Sequence, residues 1–174
     1  SKNRRKEELD KIFASGKALK GLNFLERLGL LEALGITISN SVKDVKDLAG
    51  FWAQLEAPGY PFKRIEKMRM ANINNILDLH DVNITSLFTY GLYDNLVAGE
   101  IMGIDRNRII SLYESMPIHS KEDLAIDGNK IMDIFNLDSS PFIKEIKKCL
   151  ISEVLSGNLS NSEANLVEYL IQNK

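Results

Sequence analysis

The sequence predicts an all-α protein made of many short helices. Two observations carry this. Apolar residues recur at helical spacing almost throughout, and no stretch alternates apolar and polar residues with β-branched enrichment. A third narrows it: Gly, Pro, Asn and Asp cut the pattern at short intervals, so no helix is long.

The elements follow in order. Leu9, Ile12 and Phe13 line one face of a first helix, which Gly16 interrupts. Phe24, Leu28 and Leu31 repeat at i, i+4, i+7 and predict a second. Val45, Leu48, Trp52 and Leu55 predict a third, with Ser41 and Asp44 as its capping box. Pro58-Gly59 breaks the chain, and residues 60–70 read as a helix. Ile84, Leu87 and Phe88 mark a short one ending near Gly91. Leu96, Val97 and Ile101 mark the next, ending near Gly103. Asp105 is placed to cap a helix bearing Ile109, Leu112 and Tyr113, which Pro117 stops. Ser120 to Asp123 is one capped turn. Asp127-Gly128-Asn129 opens a helix with Ile131, Met132 and Phe135. Ser140-Pro141 starts another, with Ser as cap and Pro in first position. Ile143, Ile146, Leu150 and Val154 share its face, and Gly157 ends it. Ser160 to Glu163 reads as a capping box ahead of Leu166, Val167, Leu170 and Ile171.

The 174 residues suffice for one domain or two small ones. With 44% hydrophobic and 26% charged residues, the composition is that of a soluble globular protein. One Cys and two His allow no disulfide framework and no ordinary zinc site. Cys149 falls at helical spacing from apolar neighbours, so it is expected as a small core residue in a reducing, cytoplasmic setting. No apolar run approaches a membrane span.

No catalytic constellation stands out. His80-Asp81 is the dipeptide that HD-type metal phosphohydrolases place on a helix, but that chemistry needs further ligands on both sides. His119 lies downstream, next to Pro117 in an expected loop. Glu7-Glu8 and Glu122-Asp123 sit at expected helix starts or polar faces, where acids favour the helix dipole. No glycine-rich phosphate cradle occurs, and Cys149 has no His close in sequence.

Charge is more informative in its distribution than in its sum. Lys and Arg number 22 against 24 Asp and Glu, a net of −2. Yet residues 1–22 concentrate Lys2, Arg4, Arg5, Lys6, Lys11, Lys17 and Lys20. Lys63, Arg64, Lys67 and Arg69 surround only Glu66, and Lys144, Lys147 and Lys148 share one helix face. A near-neutral chain can hold local basic strips for a phosphate backbone.

Residues 111–132, from Ser111 through Pro117-Ile118, Ser120, Leu124-Ala125-Ile126 and Gly128 to Met132, resemble the C-terminal region of bacterial CCA-adding enzymes. These are class II tRNA nucleotidyltransferases, grouped with bacterial poly(A) polymerases. Residues 140–145 sit where that family has Gly-Pro-Trp-Ile-Gly. Residues 153–161, ending in Gly157-Asn158-Leu159-Ser160-Asn161, resemble its acid-Val-x-x-Gly-x-Leu-x-Asn run. Residues 3–12 are similar to the helix after the nucleotide-binding neck, and Leu28-Gly29-Leu30-Leu31 fits the Gly-Leu motif of the next one. Departures are Met116 for Leu, Ser140 and Lys144 for Gly, Asn3 for Glu, and Leu34-Gly35-Ile36 where a Leu-Pro segment is usual.

The resemblance implies an elongated helical body and tail without the catalytic head, whose Asp-x-Asp metal pair does not occur here. Residues 1–34 would be the end of the neck, with RNA-binding-like helices, and residues 35–174 the tRNA-binding body and tail. The implied partner is tRNA, gripped along its acceptor and T-arm backbone while the head extends the 3′ end. A parent enzyme would need Mg2+ and CTP or ATP; this part needs no cofactor. The residues expected at RNA are Arg4, Arg5, Lys63, Arg64, Lys67, Arg69, Lys121, Gly128, Asn129, Lys130 and Lys144. Gly128, Asn129 and Lys130 lead, because a Gly at a helix N-terminus admits a phosphate to backbone N–H groups; a simple left-handed turn at Gly128 is the alternative. Two other classes stay open: an all-α protein–protein module, and an HD-like hydrolase.

Overall fold

The computed structural model describes residues 1–136 and 141–173. Among these residues ten α-helices follow one another: α1 (Lys2–Phe13), α2 (Ala18–Arg27), α3 (Leu30–Leu34), α4 (Leu48–Ala53), α5 (Arg64–Asp78), α6 (Ile84–Met102), α7 (Arg106–Glu114), α8 (Gly128–Phe135), α9 (Phe142–Leu155) and α10 (Glu163–Gln172). A 3₁₀ turn spans Lys121–Asp123. Among the described residues there is no strand, only an isolated antiparallel bridge between Thr37 and Glu56.

Among the described residues three hydrophobic cores follow one another in chain order. The first gathers Leu9, Phe13 and Leu22 with Phe51, Trp52 and Tyr60. The second joins Ala49 and Ala53 to Ile73, Ile76, Leu87, Val97 and Ile109. The third packs Ile118 and Ile131 against Leu150, Val154, Leu166 and Leu170. Residues 1–34 therefore close no core alone; they share one with residues up to Tyr60. The fold exposes 10700 Å², whereas a compact sphere-like protein of 19.6 kDa would expose about 8600 Å². Serial cores make the molecule elongated.

Helix α4 links the first two cores by turning opposite sides to each. Phe51 and Trp52 face the first; Ala49 and Ala53 face the second. Gly50 lets α6 approach closely, because a Cβ there would lie 2.3 Å from Val97 Cγ1. Arg69 of α5 fixes this junction. Its guanidinium donates to Asp94 of α6 at 2.9 Å and to both oxygens of Asp47, the α4 N-cap, at 3.2 Å. Tyr93 stacks on the guanidinium and donates its hydroxyl to Asp47. Asn72 donates to the other Asp94 oxygen.

The expected break in α6 is present. Gly91 has φ 77° and ψ 165°, a left-handed, non-helical conformation. Asn95 is fully buried and donates to the carbonyls of Ser86 and Gly91, so the freed acceptors on the inner side are satisfied. Ser86 donates to the Asn95 side-chain oxygen in return.

Several elements differ from expectation. The third helix does not begin at the Ser41–Asp44 box; α4 starts at Leu48, capped by Asp47. Asp44 instead accepts from the Leu19 N–H, capping α2, whose own N-cap side chain makes no such bond. The helix expected over 60–70 begins at Arg64 and runs to Asp78. Tyr60 and Phe62 remain outside it, ringed around Trp52 in the first core. The stripe Phe24, Leu28, Leu31 is cut at Gly29, and Phe24 and Leu28 are each 54% exposed. The cap of α10 is Ser162 rather than Ser160. Ser140 lies outside the described residues; Pro141 has helical dihedrals just ahead of Phe142. Cys149 is exposed, not a core residue.

The segment between the second and third cores explains the most specific sequence motif. His119 and Ser120 N–H groups donate to Asp123, closing the 3₁₀ turn. Asn161 then clamps it from the far motif: its amide donates to the Asp123 carbonyl and its oxygen accepts from the Ala125 N–H, both at 2.8 Å. The two motifs that looked most family-like thus meet as one structural joint.

Two outcomes follow. Asn161→Ala leaves the partly buried Ala125 N–H unpaired and should cost about 1–3 kcal/mol in urea unfolding. The Asp47 carboxyl is held below its ordinary range: burial opposes this, but the Gly50 N–H, Arg69 and the Tyr93 hydroxyl outweigh it. A depressed folded-state value means stability that is complete above the unfolded carboxylate range and fades as pH falls through it. Melting temperature should drop from about pH 5 downward, and less steeply in Asp47→Asn.

Candidate nucleic-acid interface

The starts of α1 and α5 lie side by side, although 60 residues separate them. Lys6 is the link. It is 9% exposed and donates to Asp10 at 2.8 Å and to Glu66 at 2.9 Å, above the Phe62 ring. Asp10 also accepts from the Trp52 indole at 2.7 Å, which ties the link to the first core. Glu66 in turn accepts from the Lys63 N–H and caps α5. Burial alone would lower the Lys6 pKa, but the bonds to Asp10 and Glu66 outweigh it and raise it. Lys6 is therefore a fixed charge inside the joint.

Around this joint the remaining cations face solvent. The Lys2 ammonium lies over Gly59, and the charge of Arg5 acts on Tyr60. Lys2, Arg4, Arg5, Lys63, Arg64 and Lys67 are all exposed. The first turn of α1 holds no acid. Cations at a helix N-terminus oppose the dipole by a few tenths to about 1 kcal/mol. Such an arrangement suits an anionic partner better than it suits the isolated helix. Arg4 and Arg5 also edge an open, mainly apolar groove of about 490 Å³, floored by Leu9, Leu25 and Leu34.

The other expected residues are scattered. Arg69 faces inward, bound to Asp47 and Asp94, and does not share the exposed face of Lys63, Arg64 and Lys67. Lys121 is exposed in the 3₁₀ turn, and Lys144 on α9. Gly128 opens α8, and its φ is not positive, so it is no left-handed turn. The α8 N-terminus is already capped by Asp127, which accepts from the Lys130 N–H. The Lys130 ammonium lies 3.3 Å from Glu163. Asn129 and Lys130 line a cleft shared with Asp127, Asp133 and Glu163, so acids outnumber cations at its mouth. Of the three basic strips, the structure joins the first two and leaves the α9 strip apart.

Sequence reading passed over Arg108. It stands in the first turn of α7 and donates to Asp81 at 3.1 Å. Only the fold reveals that it shares a cleft with Lys148, because they lie 40 residues apart on different helices. The same pairing engages Asp81, whose neighbour His80 is exposed. Among the described residues no three His, Cys, Asp or Glu gather as a metal site needs. No helix among them is long and apolar enough to cross a membrane.

Comparison with known proteins agrees with this architecture. A family model described as tRNA nucleotidyltransferase domain 2 matches residues 64–170. A CCA-adding enzyme of Geobacillus sp. (strain WCH70) is 28% identical over 135 residues, covering 73% of this chain and 33% of that protein. One of Lactococcus lactis subsp. cremoris (strain MG1363) is 26% identical over 99 residues, covering 54% of this chain and 25% of that protein. The chain thus matches a quarter to a third of the length of these relatives. The crystal structure of Bacillus stearothermophilus CCA-adding enzyme in complex with CTP shares the fold, with a TM-score of 0.56 and 19% identity over 63% of this chain and 31% of that one. With more than half its length matched, the chain belongs to the tRNA nucleotidyltransferase domain 2 family and resembles the helical body and tail of CCA-adding enzymes.

Proposed function

We propose that this chain is the tRNA-holding body and tail of a CCA-adding tRNA nucleotidyltransferase, gripping the acceptor/T-arm stack through its sugar-phosphate backbone. The observation that supports it is the joint at Lys6 and Glu66. It gathers exposed cations from two distant segments onto one end of the molecule, at a helix start where their charge is locally unfavourable. Backbone contacts of this kind suit A-form RNA, whose deep major groove side chains cannot read. They also suit an enzyme that must accept every tRNA. Nucleotide addition, with its Mg2+ and CTP or ATP, belongs to other parts of such an enzyme, in a cytoplasmic setting. Residues 1–34 would stand at the end of the neck, and residues 35–174 would carry the grip.

Binding of the 174-residue chain to a tRNA acceptor–T-arm minihelix, against an RNA hairpin of equal length across a salt series, tests this. The minihelix should bind more tightly, with an affinity that falls steeply with salt. Equal, feeble binding to both would remove the reading. Charge reversal should rank the residues: Arg5→Glu should weaken binding more than Lys130→Glu, because Glu163 already offsets Lys130.

A further inference from the structure

An open cleft of about 690 Å³ runs between the second and third cores. Its floor is apolar, formed by Phe88 of α6, Leu112 of α7, and Ile151 and Leu155 of α9. Two rows of hydroxyls wall it: Thr85 and Thr89, one turn apart on α6, and Ser152 of α9 with Ser156, the C-cap of that helix. Ser156 donates to the Ser152 carbonyl, so its oxygen stays open as an acceptor. Two cations stand at the rim. The Arg108 guanidinium pairs with Asp81, both side chains about half exposed. Lys148 is 80% exposed, with its ammonium 4.0 Å from Glu145.

This combination is specific. An apolar peptide face would use the floor but not the cations and hydroxyls, and a bare inorganic anion would not use the floor. A ribose-phosphate strand satisfies all three features. It offers a charged phosphate, a C–H face on the sugar, and a 2′-hydroxyl that both donates and accepts.

We propose that this cleft holds one strand of RNA backbone, with phosphates on Arg108 and Lys148 and 2′-hydroxyls at Thr85, Thr89 and Ser152. The inference rests on the tRNA-holding reading but assigns a second contact, remote in sequence from the α1–α5 end. It makes the cleft a sensor of RNA against DNA. Asp81 is its internal competitor: it occupies Arg108 when no phosphate is present.

The test uses the 174-residue chain with the minihelix made as RNA and as DNA of the same sequence, read by fluorescence anisotropy across salt. Arg108→Gln with Lys148→Gln should weaken binding of both about tenfold and flatten the salt slope by nearly two. Thr85→Val with Thr89→Val should weaken RNA about fivefold and leave DNA unchanged. Asp81→Asn should strengthen binding of both about threefold, while Glu168→Gln, the same charge change at an exposed position of α10 away from the cleft, should not. Circular dichroism melting controls for folding, and Lys148→Gln alone, at an exposed position, tests the cleft if the double variants melt early. If the wild-type chain binds the RNA minihelix and the threonine and cation variants bind it equally well, the cleft assignment is overturned and the tRNA-holding reading stands. If the wild-type chain does not prefer the minihelix to a plain hairpin, both fall. An equal loss on RNA and DNA in the threonine variant would overturn the 2′-hydroxyl role.

Discussion

One guanidinium holds the middle of this molecule together. Arg69 reaches the N-cap of α4, the second half of α6 and the ring of Tyr93 from a single position on α5. Asp94 is 6% exposed, so its carboxylate depends on that partner and on Asn72. A buried pair of this kind is a weak source of net stability but a strong source of geometry, because no other arrangement leaves both charges satisfied. The position of α4 follows from it, and α4 in turn sets the first core against the second.

The second constraint lies further along. The turn at Asp123 and the clamp from Asn161 fix how the third core meets the second. Phe88 and Leu155 pack into both of those cores, so the joint is filled as well as hydrogen-bonded. A polar clamp and an apolar plug together leave the cleft beside them with a definite shape.

Much of the fold was legible because helical periodicity and caps are local signals. Asp105, Asp127 and Gly157 act where spacing placed them. The misreadings are cases where tertiary partners claimed a residue. Asp44 looks like a cap for the helix after it but serves α2. Tyr60 and Phe62 fall inside the stretch read as a helix but are drawn out by Trp52. The asparagines at 72, 74 and 75 disguised the second half of α5, which Ile73 and Ile76 anchor in the core. For the interface, clusters of Lys and Arg were visible, but their use was not. Lys6 and Arg69 read like their neighbours and differ in the carboxylates set opposite them, partly buried for Lys6 and nearly buried for Arg69. Arg108 and Lys148 could not be joined without the fold, since nothing in a linear spacing brings α7 to α9.

The serial arrangement of cores has a consequence for how the chain is made. Each core closes almost entirely within one contiguous stretch: residues up to Tyr60, then Ala49 to Met116, then Ile118 to Leu170. Low separation between contacting residues favours rapid folding, since little loop entropy is lost before contacts form. A ribosome releases the chain in the same order. The first core can close while the last is still being synthesised, and each finished core then presents the surface on which the next assembles.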